Sequence, residues 1–226
     1  LESGVERDPG YSDAWAMLGW LYLDAGRYEF FGPDRVQDEY ENAFEAASRA
    51  VALEPENTLA LKALSSIQHY RGNFKEAEAL IRKAVELNPY DPDALAQLGW
   101  RLAVRGNFEE GIPALKRAIS RTVNPPGWYF HLVAIDQFIH KDFDAMLASA
   151  KRSAVDGSSL SQALIAIASA AKQDRTETRV ALARIPTSAL LARNPAAFFR
   201  RHGATDEFTD RMVTALEQAR SFSGSD

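Results

Sequence analysis

The sequence predicts an all-α protein, a right-handed superhelix (α-solenoid) of about five stacked helix pairs followed by a C-terminal helical cap. Three observations predict it. Positions recur at a step of 34: Ala50, Ala84 and Ala118; Ala43, Ala77 and Gly111; Leu61 and Leu95; Leu64 and Leu98; Pro55 and Pro89. A period of that size, with small residues at fixed places, marks a helix–turn–helix unit that buries its apolar face only by stacking on copies of itself. Within each period the apolar residues fall three and four apart, on one helix face. Gly72 with Phe74 and Gly106 with Phe108 then punctuate the period, glycine being the residue that accepts the left-handed end of a helix.

Taken in order, residues 1–8 read as the end of a preceding second helix, because Pro9 to Trp15 repeats the step of Pro55 to Leu61. On that reading the chain is a piece of a longer protein. Five repeats occupy 9–185. The first opens on Trp15, Leu18, Gly19 and Tyr22, where the small residue lets a neighbouring helix approach. Gly26 with Tyr28 is expected to form its turn, the aromatic plugging the gap between the two helices. Trp15 to Leu61 spans 46 residues, an insertion of 12 that includes Phe30-Phe31-Gly32-Pro33-Asp34. Val36, Tyr40, Ala43, Phe44, Ala47 and Val51 follow at helical spacing. The insertion is therefore expected to lengthen the second helix at its start, behind an aromatic loop. Phe30 and Phe31 either make a contact site there or fold back on the first hairpin.

The later repeats are progressively looser. Ala77, Ile81 and Ala84 form the second helix of repeat two, which stops at Asn88-Pro89. Gly111, Leu115 and Ala118 do the same in repeat three, where Pro113 predicts a late or kinked start. Repeat four places Phe130, Val133 and Ala134 in its first helix, Phe143 at the turn, and Met146 with Ser153 in its second. Repeat five (159–185) retains Ala166 and the stop Ile185-Pro186. Residues 186–226 then read as capping helices over 188–193, 195–202 and 206 to about 222. Phe208, Met212, Leu216 and Ala219 make a stripe expected to cover the last repeat, with 221–226 frayed.

The run Trp15-x-x-Leu18-Gly19-x-x-Tyr22, with Ala43, Ala50 and Pro55, resembles the tetratricopeptide repeat (TPR) family. The resemblance implies a TPR superhelix, first helices lining a concave groove, and protein or peptide partners. Receptors of chaperone tails in that family place Lys, Asn and Arg in the groove; Ala16, Trp20, Ala63, Ala96 and Trp100 stand at the corresponding places, so that clamp is absent. Asn124-Pro125-Pro126-Gly127-Trp128-Tyr129 and Ala197-Phe198-Phe199-Arg200-Arg201-His202-Gly203 resemble the C-terminal repeat regions of bacterial signalling proteins. There such arrays follow a class III adenylate cyclase domain or a winged-helix DNA-binding domain.

Composition narrows the chemistry. A net charge of −5 gives no field to draw in nucleic acid or an anionic membrane. The absence of cysteine removes thiol catalysis and thiolate metal sites, and fits a reducing, cytoplasmic setting. His69, His131, His140 and His202 are scattered, with no second ligand at metal spacing, so neither metal nor cofactor is expected. Glu76, Glu78, Glu109 and Glu110 open second helices, where the macrodipole favours acids without any catalytic role. The fragment is therefore expected to be non-catalytic.

What remains is a surface. The expected concave wall carries Met17 and Trp20 from repeat one, Lys62, His69 and Tyr70 from repeat two, Gln97 and Trp100 from repeat three, and His131, Ile135 and Phe138 from repeat four. Tryptophan and tyrosine are the residues that anchor partners, although the same aromatics also serve as core. The sequence thus predicts an interaction or regulatory module of a larger bacterial signalling protein, binding a peptide or protein segment in its groove. The alternative is a self-associating scaffold, a homodimer that holds an upstream cyclase or DNA-binding domain together.

Overall fold

In a computed structural model, residues 2–154 and 157–224 are described. Among them the chain is all helical: α1 (Glu2–Arg7), α2 (Ser12–Arg27), α3 (Val36–Leu53), α4 (Thr58–Tyr70), α5 (Phe74–Leu87), α6 (Pro92–Val104), α7 (Phe108–Ser120), α8 (His131–Ile139), α9 (Phe143–Ser153), α10 (Ser159–Ala171), α11 (Arg175–Ala183), α12 (Leu190–Arg193), α13 (Pro195–Arg201) and α14 (Asp206–Gly224). Short 3-10 turns at Pro33–Arg35 and Gly127–Phe130 precede α3 and α8. The chain forms two compact units, residues 1–98 and 99–226, with the division inside α6. Leu1, and Ser225 and Asp226 from the stretch expected to fray, lie outside the described residues. The rest of that stretch is helical through Gly224.

In the first unit α2 and α3 run antiparallel. A Cβ on Gly19 would sit 3.1 Å from that of Ala47, so the glycine sets how closely the two backbones meet. Ala16, Leu23, Ala43, Ala47, Ala63 and Ile67 form the buried core beside them. Asn57 joins the pairs: its side-chain oxygen caps α4 by accepting from the Leu59 and Ala60 amides, while its nitrogen donates to Ser12 and Asp13. Replacing it would unmake a helix cap and an inter-pair link at once.

Gly26 differs from expectation. It is helical and buried within α2, where an added Cβ would fall 2.6 Å from the Tyr40 ring. It is a packing glycine. The left-handed residues of that turn are Glu29 (φ 55°) and Gly32 (φ 90°), whereas Gly72 (φ 85°) and Gly106 (φ 91°) close the next two turns as expected. The 12 inserted residues also distribute more widely than predicted. Against the second pair, three lengthen α2, four lengthen α3 at its start, and five enlarge the loop between them.

In the second unit the closest approach is between Gly99 and Gly111. A Cβ on Gly99 would meet the Gly111 carbonyl oxygen at 2.6 Å, and a Cβ on Gly111 the Gly99 carbonyl at the same distance. Backbone cannot swing aside as a side chain can. Gly99→Ala is therefore expected to lower stability by about 2 kcal/mol, read by urea denaturation; an unchanged midpoint would mean the helices separate freely. Pro113 does not delay α7, which begins at Phe108 in register with Phe74 of α5. It removes only the amide that would have bonded the Glu109 carbonyl. In repeat four the Pro125-Pro126 pair postpones the α-helix, so Phe130 closes a 3-10 turn and α8 starts at His131.

The C-terminal helices differ most from expectation. Phe208, Met212, Leu216 and Ala219 are buried, but not solely against the last repeat. α14 packs on α10 and α11, and at its start the Phe208 ring stacks on Phe108 of repeat three, 6.2 Å between centroids. Just before it, the Gly203 carbonyl accepts a hydrogen bond from Arg105 at 3.0 Å. α14 therefore runs across three repeats instead of capping one.

Candidate partner-binding surface

In the first unit, several large apolar side chains are exposed on α2 and the loop after it. Met17 and Leu21 stand four residues apart on one face of α2, and Tyr28 follows directly at its C-terminal cap. They are 43%, 53% and 60% exposed, and Phe30 and Phe31 extend the surface at 66% and 68%. Monomeric proteins rarely leave large apolar side chains contiguous and solvated.

The loop is braced rather than loose. Tyr28 and Phe30 donate their amides to the Asp24 and Ala25 carbonyls, both at 3.0 Å. Their rings stack 5.6 Å apart. The Arg27 guanidinium, paired with Asp24 at 3.1 Å, lies 5.3 Å from the Tyr28 ring and 4.8 Å from that of Tyr70. These contacts hold the aromatic side chains outward at little further ordering cost, the property a pre-formed anchor needs. Tyr28 is thus not the plug between helices that its spacing suggested, and Phe30 and Phe31 do not fold back into the first hairpin.

The predicted wall residues have mixed fates. In the first unit Trp20 and Tyr70 are half-buried against the core, and Met17 is exposed. Lys62 is engaged with two carboxylates, 2.9 Å from Asp91 and 3.1 Å from Asp93. Burial disfavours its charge, but those hydrogen bonds and charges outweigh it and raise its pKa. Asp91 is held below the ordinary carboxylate value: burial opposes this, and Lys62 with the Ala94 and Asp93 amides prevails. Gln97 is buried, donating to Asp93 at 2.9 Å and accepting from Ser66 at 3.2 Å. His69 is buried too, edge-on to Tyr70 and Phe74.

In the second unit Trp100 is half-buried with its ring 6.2 Å from His202, and Phe138 is half-buried near α14. Ile135 is fully buried. His131 is buried, with Nε2 3.0 Å from the Ser161 hydroxyl. Burial, aided by the charge of His202, lowers its pKa to about 4, so it is neutral at pH 7. His69, Gln97, His131 and Ile135 are therefore interior residues and present no side chain to a partner. Their positions along the first helices are those where neighbouring helices pack. Conversely, Leu21 and Tyr28 belong to the exposed surface and were legible as continuations of the Met17 stripe. Among the described residues no cluster of His, Asp and Glu is placed to hold a metal ion, and no helix is long and apolar enough to cross a membrane.

Comparison with known proteins bears on the fold. Residues 1–29 and 35–92 match models of the tetratricopeptide repeat. No curated protein matches the sequence significantly. Among solved structures, the chain is similar to one from the APC/C hetero-tetramer Cut9-Hcn1, with a TM-score of 0.71 and 14% identity over 100% of this chain and 42% of that one. The present chain thus spans well under half the length of that protein. It is also similar to PilF of Pseudomonas aeruginosa, with a TM-score of 0.66 and 18% identity over 97% and 95% of the two chains. PilW, a type IV pilus biogenesis factor, gives 0.58 and 14% over 90% of each. The helix pairs, the matching stretches and these likenesses together give the chain a tetratricopeptide-repeat fold.

Proposed function

We propose that this chain is a non-catalytic protein-interaction module of a larger bacterial cytoplasmic signalling protein, and that a peptide or protein segment docks on its first unit. The observation that carries the reading is the exposed stripe of Met17, Leu21 and Tyr28, continued by Phe30 and Phe31. Trp20 borders the stripe on α2, and the motif resemblance to bacterial signalling proteins supplies the setting.

The stripe also has a telling counterpart within the unit. Ala63 and Ile67 of α4 stand 46 residues after Met17 and Leu21, at the equivalent places, and both are fully buried. This surface is the one that helices cover in the second pair, so a helical occupant suits it. A second reading follows from the same observation, in which the occupant is another copy of this chain.

Met17→Glu combined with Leu21→Glu separates the readings from a purely structural role. Partner capture by the intact protein is expected to weaken by about 2 kcal/mol or more, the effect of losing an interface anchor. The melting temperature should scarcely move, because both side chains are solvated. Under the second reading the variant instead abolishes a dimer seen by sedimentation. Unchanged binding and unchanged mass would contradict both.

A further inference from the structure

The charge of the chain is unevenly divided. Residues 1–98 carry nine Lys and Arg against 18 Asp and Glu, a net −9, whereas residues 99–226 carry 17 against 13, a net +4. Part of the acidic excess lies at the exposed apolar side chains of α2 and its loop. From Asp13 to Glu39, six acids stand against two cations. Asp24 lies three residues after Leu21 on the same face of α2, with 41% of its side chain exposed. Glu29 and Asp34 bracket Phe30 and Phe31, and both are exposed. The two cations are already engaged, Arg27 with Asp24 at 3.1 Å, and Arg35 with Asp38 at 3.1 Å and Glu39 at 3.8 Å. Glu39 is buried, and its Oε2 has no hydrogen-bond partner. Its charge is felt on α2: a hydrogen bond to Glu2, burial, and the charges of Glu2 and Glu39 push the Tyr22 phenol up to about 12. Such a field repels an acidic segment, draws in a cationic one and fixes its register.

We propose, on the reading that a segment docks at this surface, that the segment is basic and belongs to another protein. Its apolar side chains cover Met17, Leu21 and Phe30, while its Lys or Arg side chains meet Asp24, Glu29 and Asp34. Long cationic side chains suit that arrangement, because their stems lie along apolar surface while their heads reach the carboxylates. The positively charged second unit of another copy is less well matched. Among the described residues its exposed large apolar side chains are Val123 and Val180, far apart in sequence.

The test titrates two synthetic helical peptides against the full chain by fluorescence anisotropy. Both carry the same leucine stripe, flanked in one by lysine and in the other by glutamate. At about 0.1 M salt the lysine peptide is expected to bind about tenfold or more tightly than the glutamate peptide. The gap should narrow at about 1 M, where the screening length falls from about 10 Å to about 3 Å. Glu29→Lys with Asp34→Lys, both at exposed positions, should abolish the preference and leave the melting temperature unchanged. Met17→Gln with Leu21→Gln should weaken the lysine peptide about tenfold or more, which locates it on α2. Equal binding of the two peptides, each lost in the Met17 and Leu21 variant, overturns the basic partner and leaves the docking reading standing. A lysine peptide indifferent to that variant overturns both. A dimer that the Glu29 and Asp34 variant dissolves overturns the proposal as well, naming the second copy as the occupant.

Discussion

Deleting residues 204–226 is expected to destabilise the second unit by about 5 kcal/mol or more, because Phe208, Met212 and Leu216 are each buried and worth roughly 1.5–3 kcal/mol. That is comparable with the whole stability of a typical domain. The loss should reach repeat three as well as the last repeat, since Phe108 loses the ring of Phe208 that stacks on it. Thermal unfolding followed by circular dichroism, with a dye that reports exposed apolar surface, reads the outcome. A truncated chain with an unchanged melting temperature would show α14 to be a detachable tail.

Acidification is expected to remove about 3 kcal/mol through His131 alone. In the unfolded chain a histidine titrates near 6.5, whereas burial and His202 bring His131 down to about 4 in the native state. Between those values the unfolded chain binds a proton that the folded chain refuses. Stability is therefore full above about pH 6.5, falls as the pH drops, and levels off below about 4, at roughly 1.4 kcal/mol per pH unit. Urea denaturation at pH 7, 5.5 and 4.5 measures the slope, and His131→Gln should flatten this part of it. An identical slope in the variant would assign the acid sensitivity to other groups.

The repeat was legible because stacking imposes it residue by residue. Gly72, Gly106, Gly99 and Gly111 each answer to a single local demand, a left-handed turn or a backbone contact, and their spacing shows it. Gly26 misled because the insertion moved the turn three residues on, converting a turn position into a helix contact with Tyr40. The path of α14 was hidden for another reason. Its apolar stripe at 208, 212, 216 and 219 declares that one face is buried, but period alone cannot say against which repeats. The partner-binding surface was only partly readable. Met17, Phe30 and Phe31 are exposed, whereas His69, Gln97, His131 and Ile135 share the helix positions of a wall yet lie beneath neighbouring helices. Polar and aromatic types there point equally to a groove and to a satisfied interior, and packing decides between them.

A photoreactive amino acid placed at Leu21 of the intact protein tests the central claim most directly. Val123, fully exposed and distant in sequence from the α2 stripe, serves as the control position. The account predicts a discrete crosslinked product at Leu21, weakened by Phe30→Ala, with no such product at Val123. Crosslinking that is equal at the two positions, or absent at Leu21 while the protein still captures its partner, would contradict it.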